Sequence, residues 1–191
     1  MASLLNMSGG SLLNKGLPYD AEIEYLESTG TQYINSGLKS SVNVFVFDTV
    51  LTTKSQSYLF GATQGFNVST IDRVYRATAS CISNVSSDFD TPVHIILTSD
   101  PKNNSITLVI DNSTFIGNYT SWRYNNPILL FGIVNNLSVS KIYKIAIYIN
   151  GVLVRDYIPV RVGTTGYLYD KVSGQLFGNA GTGSFILGPD K

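Results

Sequence analysis

The stretch IAIYINGVLV, residues 145–154, places an Asn-Gly pair between two runs of β-branched and aromatic residues. Asn150 and Gly151 form the dipeptide that best tolerates the positive φ angles of a type I′ turn, and such a turn joins antiparallel strands through a two-residue loop. The stretch therefore predicts a tight β-hairpin, which places both of its strands in one antiparallel sheet.

Short apolar or alternating runs, each closed by turn residues, recur along the whole chain, as the strands of an antiparallel protein require. No window of helical length combines i, i+3, i+4, i+7 apolar spacing with a capping residue. We therefore predict an all-β fold, a two-sheet antiparallel jelly-roll sandwich. The predicted strands include 42–49, 58–61, 93–98, 105–110, 114–116, 128–133, 142–149 and 152–157.

The first 17 residues are rich in Ser, Gly and Asn, and they carry two isolated Leu pairs. They lack a basic n-region and a continuous apolar core, so we expect no standard secretory signal. No run approaches the roughly 18 apolar residues of a membrane span. We predict an N-terminal arm, residues 1–17, followed by one domain, residues 18–191. The arm is either a tail or a segment that packs against a neighbouring subunit.

The composition excludes nucleic acid as a partner and favours an extracellular or particle-bound location. Charged residues make up 14% of the 191-residue chain, against roughly 25% in ordinary soluble domains. Thirteen basic residues balance thirteen acidic ones and are scattered along the chain, so the charge pattern of a nucleic-acid-binding protein is missing. A neutral surface with few charges suits an extracellular or particle-bound β protein. The single cysteine, Cys81, excludes an intramolecular disulfide and is expected to be a buried small hydrophobe.

The sequence GNAGTG, residues 178–183, invites comparison with a phosphate-binding loop. A P-loop needs Lys and Ser/Thr directly after its last glycine, and a helix next whose N-terminal amides face the phosphate. Here Gly183 is followed by Ser-Phe-Ile-Leu, a strand-like run. We therefore interpret the segment as a series of turns in which the glycines supply positive φ.

Two phrases carry a family resemblance: EYLESTGTQYINSGL, residues 24–38, and DYIPVRVGTTGYLYDKVSGQLFGNAGTGSFILGPD, residues 156–190. Together they resemble the beginning and end of concanavalin A-like, laminin G-like jelly-roll domains, and the resemblance covers about residues 19–190. Such domains occur in bacteriophage virion proteins and in surface proteins of gut bacteria. The resemblance implies the fold and only loosely the function, because this fold carries lectins, glycanases and structural modules.

The chain offers few candidates for catalysis. Glycoside hydrolysis needs two carboxylates roughly 5 to 9.5 Å apart across a cleft, and the one dense acidic cluster contains Glu22 and Glu24, which share a strand face. This cluster belongs to the opening of the fold. His94 lies between Val93 and Ile95, which is typical of a strand histidine with a structural partner. We therefore predict that the protein is not an enzyme.

Two turns contain enough oxygen ligands to raise the question of a metal. Asp88 and Asp90 flank Phe89, and Asp100 is followed by two asparagines at 103 and 104. Carboxylate and carbonyl oxygens are the ligands of Ca²⁺, but neither segment has EF-hand spacing. Turn chemistry accounts for both, so we expect no cofactor and no metal site, with Ca²⁺ left open.

The best candidate for ligand binding is the segment GNYTSWRYNNP, residues 117–127, which contains the only tryptophan. The apolar face of a sugar ring stacks on an aromatic ring, and its hydroxyl groups hydrogen-bond to amides. The alternative is a structural loop in which the indole closes the edge of the sandwich. The candidate glycan-binding residues are Tyr119, Trp122, Arg123, Tyr124 and Asn125.

A second candidate surface contains Arg73 and Tyr75. In the sequence DRVYR, residues 72–76, polar and aromatic residues alternate, as they would on a strand that lines a concave binding face. The same residues would also suit a subunit contact, because Arg and Tyr are enriched at protein interfaces.

Three functional hypotheses follow. The first is a non-enzymatic protein of a bacteriophage virion, such as a capsid decoration, head-fibre or tail-associated protein, which forms a homo-oligomer and contacts other capsid proteins through the arm. Its jelly roll would bind a glycan or the host surface. The second is an extracellular or cell-surface carbohydrate-binding module of a gut bacterium, with a glycoside hydrolase as a weaker third. All three exclude nucleic acid as a partner and a membrane span.

Overall fold

A computed structural model of the chain describes residues 16–41, 43–63, 65–78, 81–86, 88–118 and 125–191. The predicted arm, apart from residues 16 and 17, lies outside the described residues. Within the described ranges there is no helix, and every strand pairing in the three sheets is antiparallel. The predicted all-β, antiparallel sandwich is thereby confirmed, and its sheets are consistent with a jelly-roll-like fold. The strands are β1 (Ala21–Glu22), β2 (Leu26–Thr29), β3 (Ile34–Lys39), β4 (Phe45–Thr53), β5 (Tyr58–Ala62), β6 (Asn67–Ile71), β7 (Val74–Ala77), β8 (Cys81–Ser86), β9 (Val93–Asp100), β10 (Ser105–Ile110), β11 (Ser113–Asn118), β12 (Pro127–Leu130), β13 (Gly132–Ile133), β14 (Asn136–Leu137), β15 (Val139–Ile149), β16 (Val152–Val162), β17 (Thr165–Asp170), β18 (Gln175–Phe177) and β19 (Ile186–Leu187).

The larger sheet has the order β11-β10-β9-β4-β15-β16-β17-β18, with β1 added to β16, β2 added to the start of β15, and β19 added to β2. Residues of β9 and β10 alternate strictly between buried and partly exposed, as in strands with one face in the core and one outside. The smaller sheet has the order β3-β12-β5-β6-β7-β8, and β13 and β14 form a separate two-stranded ribbon.

Four phenylalanines hold the two sheets together at the centre of the core. Phe47 of β4 lies 5.2 Å from Phe60 of β5 and 5.3 Å from Phe66 between ring centroids, and Phe45 lies 5.1 Å from Phe66. All four are fully buried, and such ring pairs add about 0.5 to 1.5 kcal/mol each beyond the burial of their area. Strand β4 therefore faces β5 and the loop after it across the sandwich.

The sandwich is closed along one side by contact between two edge strands. Cys81 of β8 is buried, and its Sγ lies 3.4 Å from the carbonyl oxygen of Phe115 in β11. Burial raises the pKa of this thiol. The expectation of a buried, small hydrophobic cysteine is confirmed.

The Asn-Gly hairpin forms as the sequence predicts. Asn150 has φ 50° and Gly151 has φ 81°, and they join β15 to β16, with Ile149 opposite Val152. Both strands are longer than predicted. Strand β15 starts at Val139 because its first residues pair with β2, and β16 continues to Val162 because its last residues pair with β17.

One predicted strand is interrupted. The run 128–133 splits into β12 and β13 because Phe131 has φ 68° and Gly132 has φ 139°. A Cβ atom on residue 132 would overlap the backbone of Asn136 and Leu137, so the tight ribbon that follows requires glycine here. No helix long and apolar enough to cross a membrane occurs in the described part of the chain.

Candidate functional site

A cleft of about 380 Å³ opens beside β12, between the loop that precedes β3 and the β13–β14 ribbon. Its volume is within the range of roughly 300 to 1,000 Å³ that is typical of small-molecule sites. We call it the Tyr33 cleft. It is lined by Gly30, Tyr33, Leu129, Val134, Asn135 and Leu137.

The β13–β14 ribbon forms one wall of the cleft. The chain reverses at Val134 and Asn135, where Asn135 takes φ 64°, a left-handed angle that asparagine tolerates better than most residues. The ribbon is held to the strand before it by a 2.9 Å hydrogen bond from the Ser138 N–H to the Phe131 carbonyl. Val134 is 43% exposed, so this turn presents an aliphatic group and an exposed amide at the rim.

The opposite wall is the loop from Gly30 to Tyr33, and the glycine-rich segment 178–183 holds it in place. The Ala180 N–H donates to the Tyr33 carbonyl at 2.8 Å, and the Thr182 N–H donates to the Thr31 carbonyl at 3.0 Å. The Asn179 Oδ1 accepts from the Tyr33 N–H at 3.3 Å. The backbone of Tyr33 is therefore fixed on both sides, and its half-buried ring lines the cleft.

Within this segment the glycines have different roles, which corrects the sequence-based interpretation. Gly183 has φ 71° and supplies the expected left-handed angle. Gly181 has no such angle, but a Cβ atom there would overlap the Thr31 carbonyl oxygen, and Gly178 lies against the Tyr167 ring. Close approach of the backbone to residues 31 and 32 requires glycine at position 181.

A buried glutamine stiffens the same wall from behind. Gln32 is 2% exposed, and its Oε1 accepts from the Thr29 N–H at 2.7 Å and from the Ser28 hydroxyl at 3.2 Å. Its Nε2 donates to the Thr31 hydroxyl at 2.9 Å. A wall with its polar groups already paired is ready to bind a ligand with little rearrangement.

The chemistry of the lining is neutral. Among the described residues that line the cleft there is no Lys, Arg, His, Asp or Glu; an aromatic ring, an amide and three aliphatic side chains remain. Such a surface can stack on an apolar ring face and hydrogen-bond to hydroxyl groups.

The predicted aromatic segment, residues 117–127, ends at Pro127, the first residue of β12. Asn125 is exposed and has φ 70°, and its N–H donates to the Ser40 carbonyl at 2.8 Å, next to the end of β3. The cleft adjoins the start of β3, so the two candidate surfaces flank the β3–β12 pair. The remaining members of this prediction, Tyr119, Trp122, Arg123 and Tyr124, lie outside the described residues.

The second predicted surface differs from its expectation. Asp72 and Arg73 have φ 53° and 61° and form the turn between β6 and β7. Arg73 is exposed and lies 5.2 Å from the centre of the Phe89 ring. Tyr75 is only 2% exposed and belongs to the core. A turn, and not a continuous strand, separates the two residues, so they do not share an exposed binding face.

The acidic and histidine candidates lie apart from the cleft. Glu22 and Glu24 are exposed on either side of the buried Ile23. His94 lies on the outer face of the larger sheet, where its Nε2 is 2.7 Å from the Asp48 carboxylate. His94 is a strand-face histidine with a partner, as expected. In the described ranges there is no group of three or more His, Cys, Asp or Glu side chains that could hold a metal.

The sequence did not single out Tyr33 or Asn135. Tyr33 lies within the first phrase of the family resemblance, and Asn135 belongs to the turn sequence VNNL, but neither carries a motif. They are about 100 residues apart, and only the pairing of β3 with β12 brings their neighbourhoods together.

No family model and no curated protein sequence matches the chain. A solved structure does: the crystal structure of a putative carbohydrate binding protein from Bacteroides ovatus ATCC 8483, with a TM-score of 0.58 at 9% sequence identity. The match covers 87% of this chain and 60% of the other, so this chain spans less than two thirds of its neighbour's length. At this identity the similarity shows the fold alone.

Proposed function

We propose that this protein is a non-enzymatic carbohydrate-binding module that works outside a cell or on a bacterial surface, and that it binds a neutral glycan in the Tyr33 cleft. The observation that carries the proposal is the uncharged lining, to which an aromatic ring and an exposed amide both contribute. The similarity in fold to the putative carbohydrate binding protein from Bacteroides ovatus supports it.

In this proposal the Tyr33 ring stacks on the apolar face of a sugar, with Leu129 and Leu137 beneath it and Val134 at the rim. The Asn135 amide both donates to and accepts from hydroxyl groups. A pyranose has an apolar face and a rim of hydroxyl groups, so it matches both parts of the lining. The fixed backbone on either side of Tyr33 keeps the entropy lost on binding low.

A panel of neutral oligosaccharides, followed by calorimetry with the best binder, tests the proposal. Tyr33→Ala removes an aromatic platform worth about 1.5 to 3 kcal/mol when covered, so we expect the dissociation constant to rise about tenfold or more. Asn135→Asp keeps the shape and the turn but removes the amide donors, and a weaker loss, several-fold, is expected. Melting temperatures of both variants check that the fold is intact.

Tyr148→Ala is the matched control, because Tyr148 is a half-buried tyrosine in β15 of the larger sheet, outside the cleft lining. It should bind the glycan as the natural sequence does. Equal binding by the natural sequence and Tyr33→Ala would contradict the proposed site, and the absence of any glycan ligand would contradict the function.

The aromatic segment with Tyr119, Trp122, Arg123 and Tyr124 is a second proposed contact for a longer glycan. Its neighbour Asn125 lies at the far end of the β3–β12 pair from the cleft. Trp122→Ala in the same titrations separates the two surfaces. If this variant alone loses binding, the segment is the primary site and the cleft is not.

The bacteriophage virion protein remains the other proposal. It is supported by the family resemblance, by the surface with few charges and by the Ser/Gly/Asn-rich arm with its Leu pairs. The similarity to a solved structure bears on carbohydrate binding and not on a virion, so the binding module is preferred. A particle protein would associate with itself or with capsid proteins through the arm, whereas a binding module would act as a monomer.

A further inference from the structure

The floor of the Tyr33 cleft is aliphatic. Successive side chains of a strand point to opposite faces of its sheet, and Ile128 and Leu130 of β12 lie in the core between the sheets. Leu129 therefore points to the outer face, where it lines the cleft and is only 3% exposed. Leu137 of the β13–β14 ribbon is half-buried and lines the cleft as well. A ligand group at the bottom of the cleft meets hydrocarbon.

The backbone around this floor is already engaged within the protein. Leu129 is paired with both neighbouring strands, β3 and β5. On the wall, the Tyr33 N–H donates to the Asn179 Oδ1 at 3.3 Å, and the Tyr33 carbonyl accepts from the Ala180 N–H at 2.8 Å. A ligand hydroxyl group placed over Leu129 would therefore lie against hydrocarbon without a hydrogen-bond partner.

The polar groups of the cleft lie higher up. Among the side chains of the described lining, the Tyr33 phenol and the Asn135 amide are the polar ones. Asn135 is exposed in the turn of the ribbon, next to Val134, which is 43% exposed. The cleft is thus apolar at its bottom and polar at its rim, so a matching ligand has an apolar group on one side and hydroxyl groups on another.

An ordinary hexopyranose does not divide in this way, because its exocyclic carbon C6 carries a hydroxyl group. In a 6-deoxyhexose this carbon is a methyl group, and the ring hydroxyl groups remain. Burying a hydroxyl group without a hydrogen bond is unfavourable, whereas burying a methyl group is favourable. We infer, on the basis of the proposed function, that the sugar bound in the Tyr33 cleft is a 6-deoxyhexose. Its methyl group contacts Leu129 and Leu137, and its ring hydroxyl groups reach Asn135.

An N-acetylhexosamine also carries a methyl group, but it fits this lining less well. Its acetamido group brings a donor and an acceptor that both need partners once they are buried. The described lining has one side-chain amide, that of Asn135, and it lies at the rim. A 6-deoxyhexose places only apolar surface on the floor.

Matched pairs of methyl glycosides test the inference on the full chain. The L-fucoside and the L-galactoside differ only in the oxygen at C6, and so do the L-rhamnoside and the L-mannoside. In NMR titrations we expect the 6-deoxy member of at least one pair to bind about tenfold more tightly than its partner. In saturation-transfer NMR with the bound 6-deoxy sugar, the C6 methyl protons should receive the strongest transfer, and this measurement needs no variant.

Leu137→Asn keeps the approximate size of the side chain and gives the C6 hydroxyl group a hydrogen-bond partner. We expect the preference for the 6-deoxy sugar to fall below about threefold, mainly because its hydroxyl-bearing partner binds better. Leu153→Asn is the matched control, because Leu153 of β16 is 37% exposed and lies outside the cleft lining. It should keep the natural preference, and melting temperatures check that both variants fold.

Two groups of results would overturn the inference, and they are distinguishable. Equal affinity within both pairs, tighter binding of the hydroxyl-bearing members or of methyl N-acetylglucosaminide, or weak transfer to the C6 methyl protons would overturn the 6-deoxyhexose and leave the neutral-glycan site in place. If no sugar binds, or if Tyr33→Ala binds the 6-deoxy sugar as tightly as the natural sequence does, the proposed function fails and the inference fails with it.

Discussion

Asp170 is a carboxylate without exposed surface at the end of β17. It accepts hydrogen bonds from the Ser173 hydroxyl at 2.6 Å and from the backbone N–H groups of Asp156, Val172 and Ser173 at 2.8, 3.1 and 3.2 Å. Arg155 Nη1 lies 3.7 Å away. One side chain thus fixes the β17–β18 turn and joins it to β16.

Asp170→Asn should destabilise the fold by about 1 to 3 kcal/mol, because an amide cannot accept all of these bonds and leaves a buried donor unpaired. Urea unfolding measures the difference. Asp156→Asn is the control, since that carboxylate is partly exposed and pairs with Lys171 at 2.8 Å, and it should cost well under 1 kcal/mol. Equal losses would show that the buried hydrogen bonds of Asp170 are not the cause.

The same residue predicts a dependence on pH. Burial alone would raise the pKa of Asp170, but the hydrogen bonds from Ser173, Asp156 and Val172 outweigh it, so the pKa lies below that of an ordinary Asp. As the pH falls, the Asp170 carboxylate therefore binds a proton in the unfolded chain before it does so in the folded chain. The stabilising contribution is complete above the pKa of the unfolded state and is lost as pH falls through the folded pKa. Asp170→Asn should lose less stability than the natural sequence between about pH 5 and pH 2.

At the scale of elements, the glycine-rich segment is a support for the Tyr33 cleft. Its backbone hydrogen bonds to Thr31 and Tyr33 form only because Gly181 lets two chains approach closely. The segment belongs to the end of the chain, and the cleft wall belongs to the start. A stretch that looks like a phosphate loop in sequence therefore connects two elements that are distant in the chain, and it holds the 30–33 loop in place.

Gly181→Ala should displace the 30–33 loop, because the new methyl group would meet the Thr31 carbonyl, which belongs to a fixed backbone. We expect a loss of about 1 to 3 kcal/mol in unfolding free energy, together with weaker glycan binding than in the natural sequence. Denaturation measures the loss of stability, and calorimetry on the same preparation measures the glycan affinity.

Gly163→Ala is the control for Gly181→Ala, because it adds backbone strain without a steric clash. Gly163 has φ 56° with nothing within 4 Å of the added methyl group. The substitution should therefore lower the free energy of unfolding by about 1 kcal/mol through strain and leave glycan binding unchanged. If Gly181→Ala binds glycan normally, the glycine-rich segment does not position Tyr33.

At the scale of the whole molecule, the arm distinguishes the two proposed functions. If the protein is a binding module, we predict that the full chain and a version lacking residues 1–16 will each show the mass of its own monomer by light scattering. A defined oligomer that depends on these residues would contradict that expectation and favour the virion protein. Glycan binding by the shortened chain should be unchanged in the first case.

The sequence by itself determined the class of fold, because alternation, turn residues and the Asn-Gly pair are local signals that each act within a few residues. It also predicted the burial of Cys81, because a lone cysteine behaves as a small hydrophobe, and a structural partner for His94, which lies in an apolar strand. The sequence predicted the ends of the strands less well. Strands β15 and β16 are longer than predicted because their ends pair with β2 and β17.

The tertiary structure decided everything that depends on long-range pairing. Tyr75 lies in the core and Arg73 lies in a turn, because the positive φ angles of residues 72 and 73 reverse the chain there. The sequence alone showed only an alternation of polar and aromatic residues in this segment. Gly181 proved necessary for a contact with Thr31, 150 positions earlier. The Tyr33 cleft is built from residues far apart in sequence, and such a site exists only once the sheets have formed.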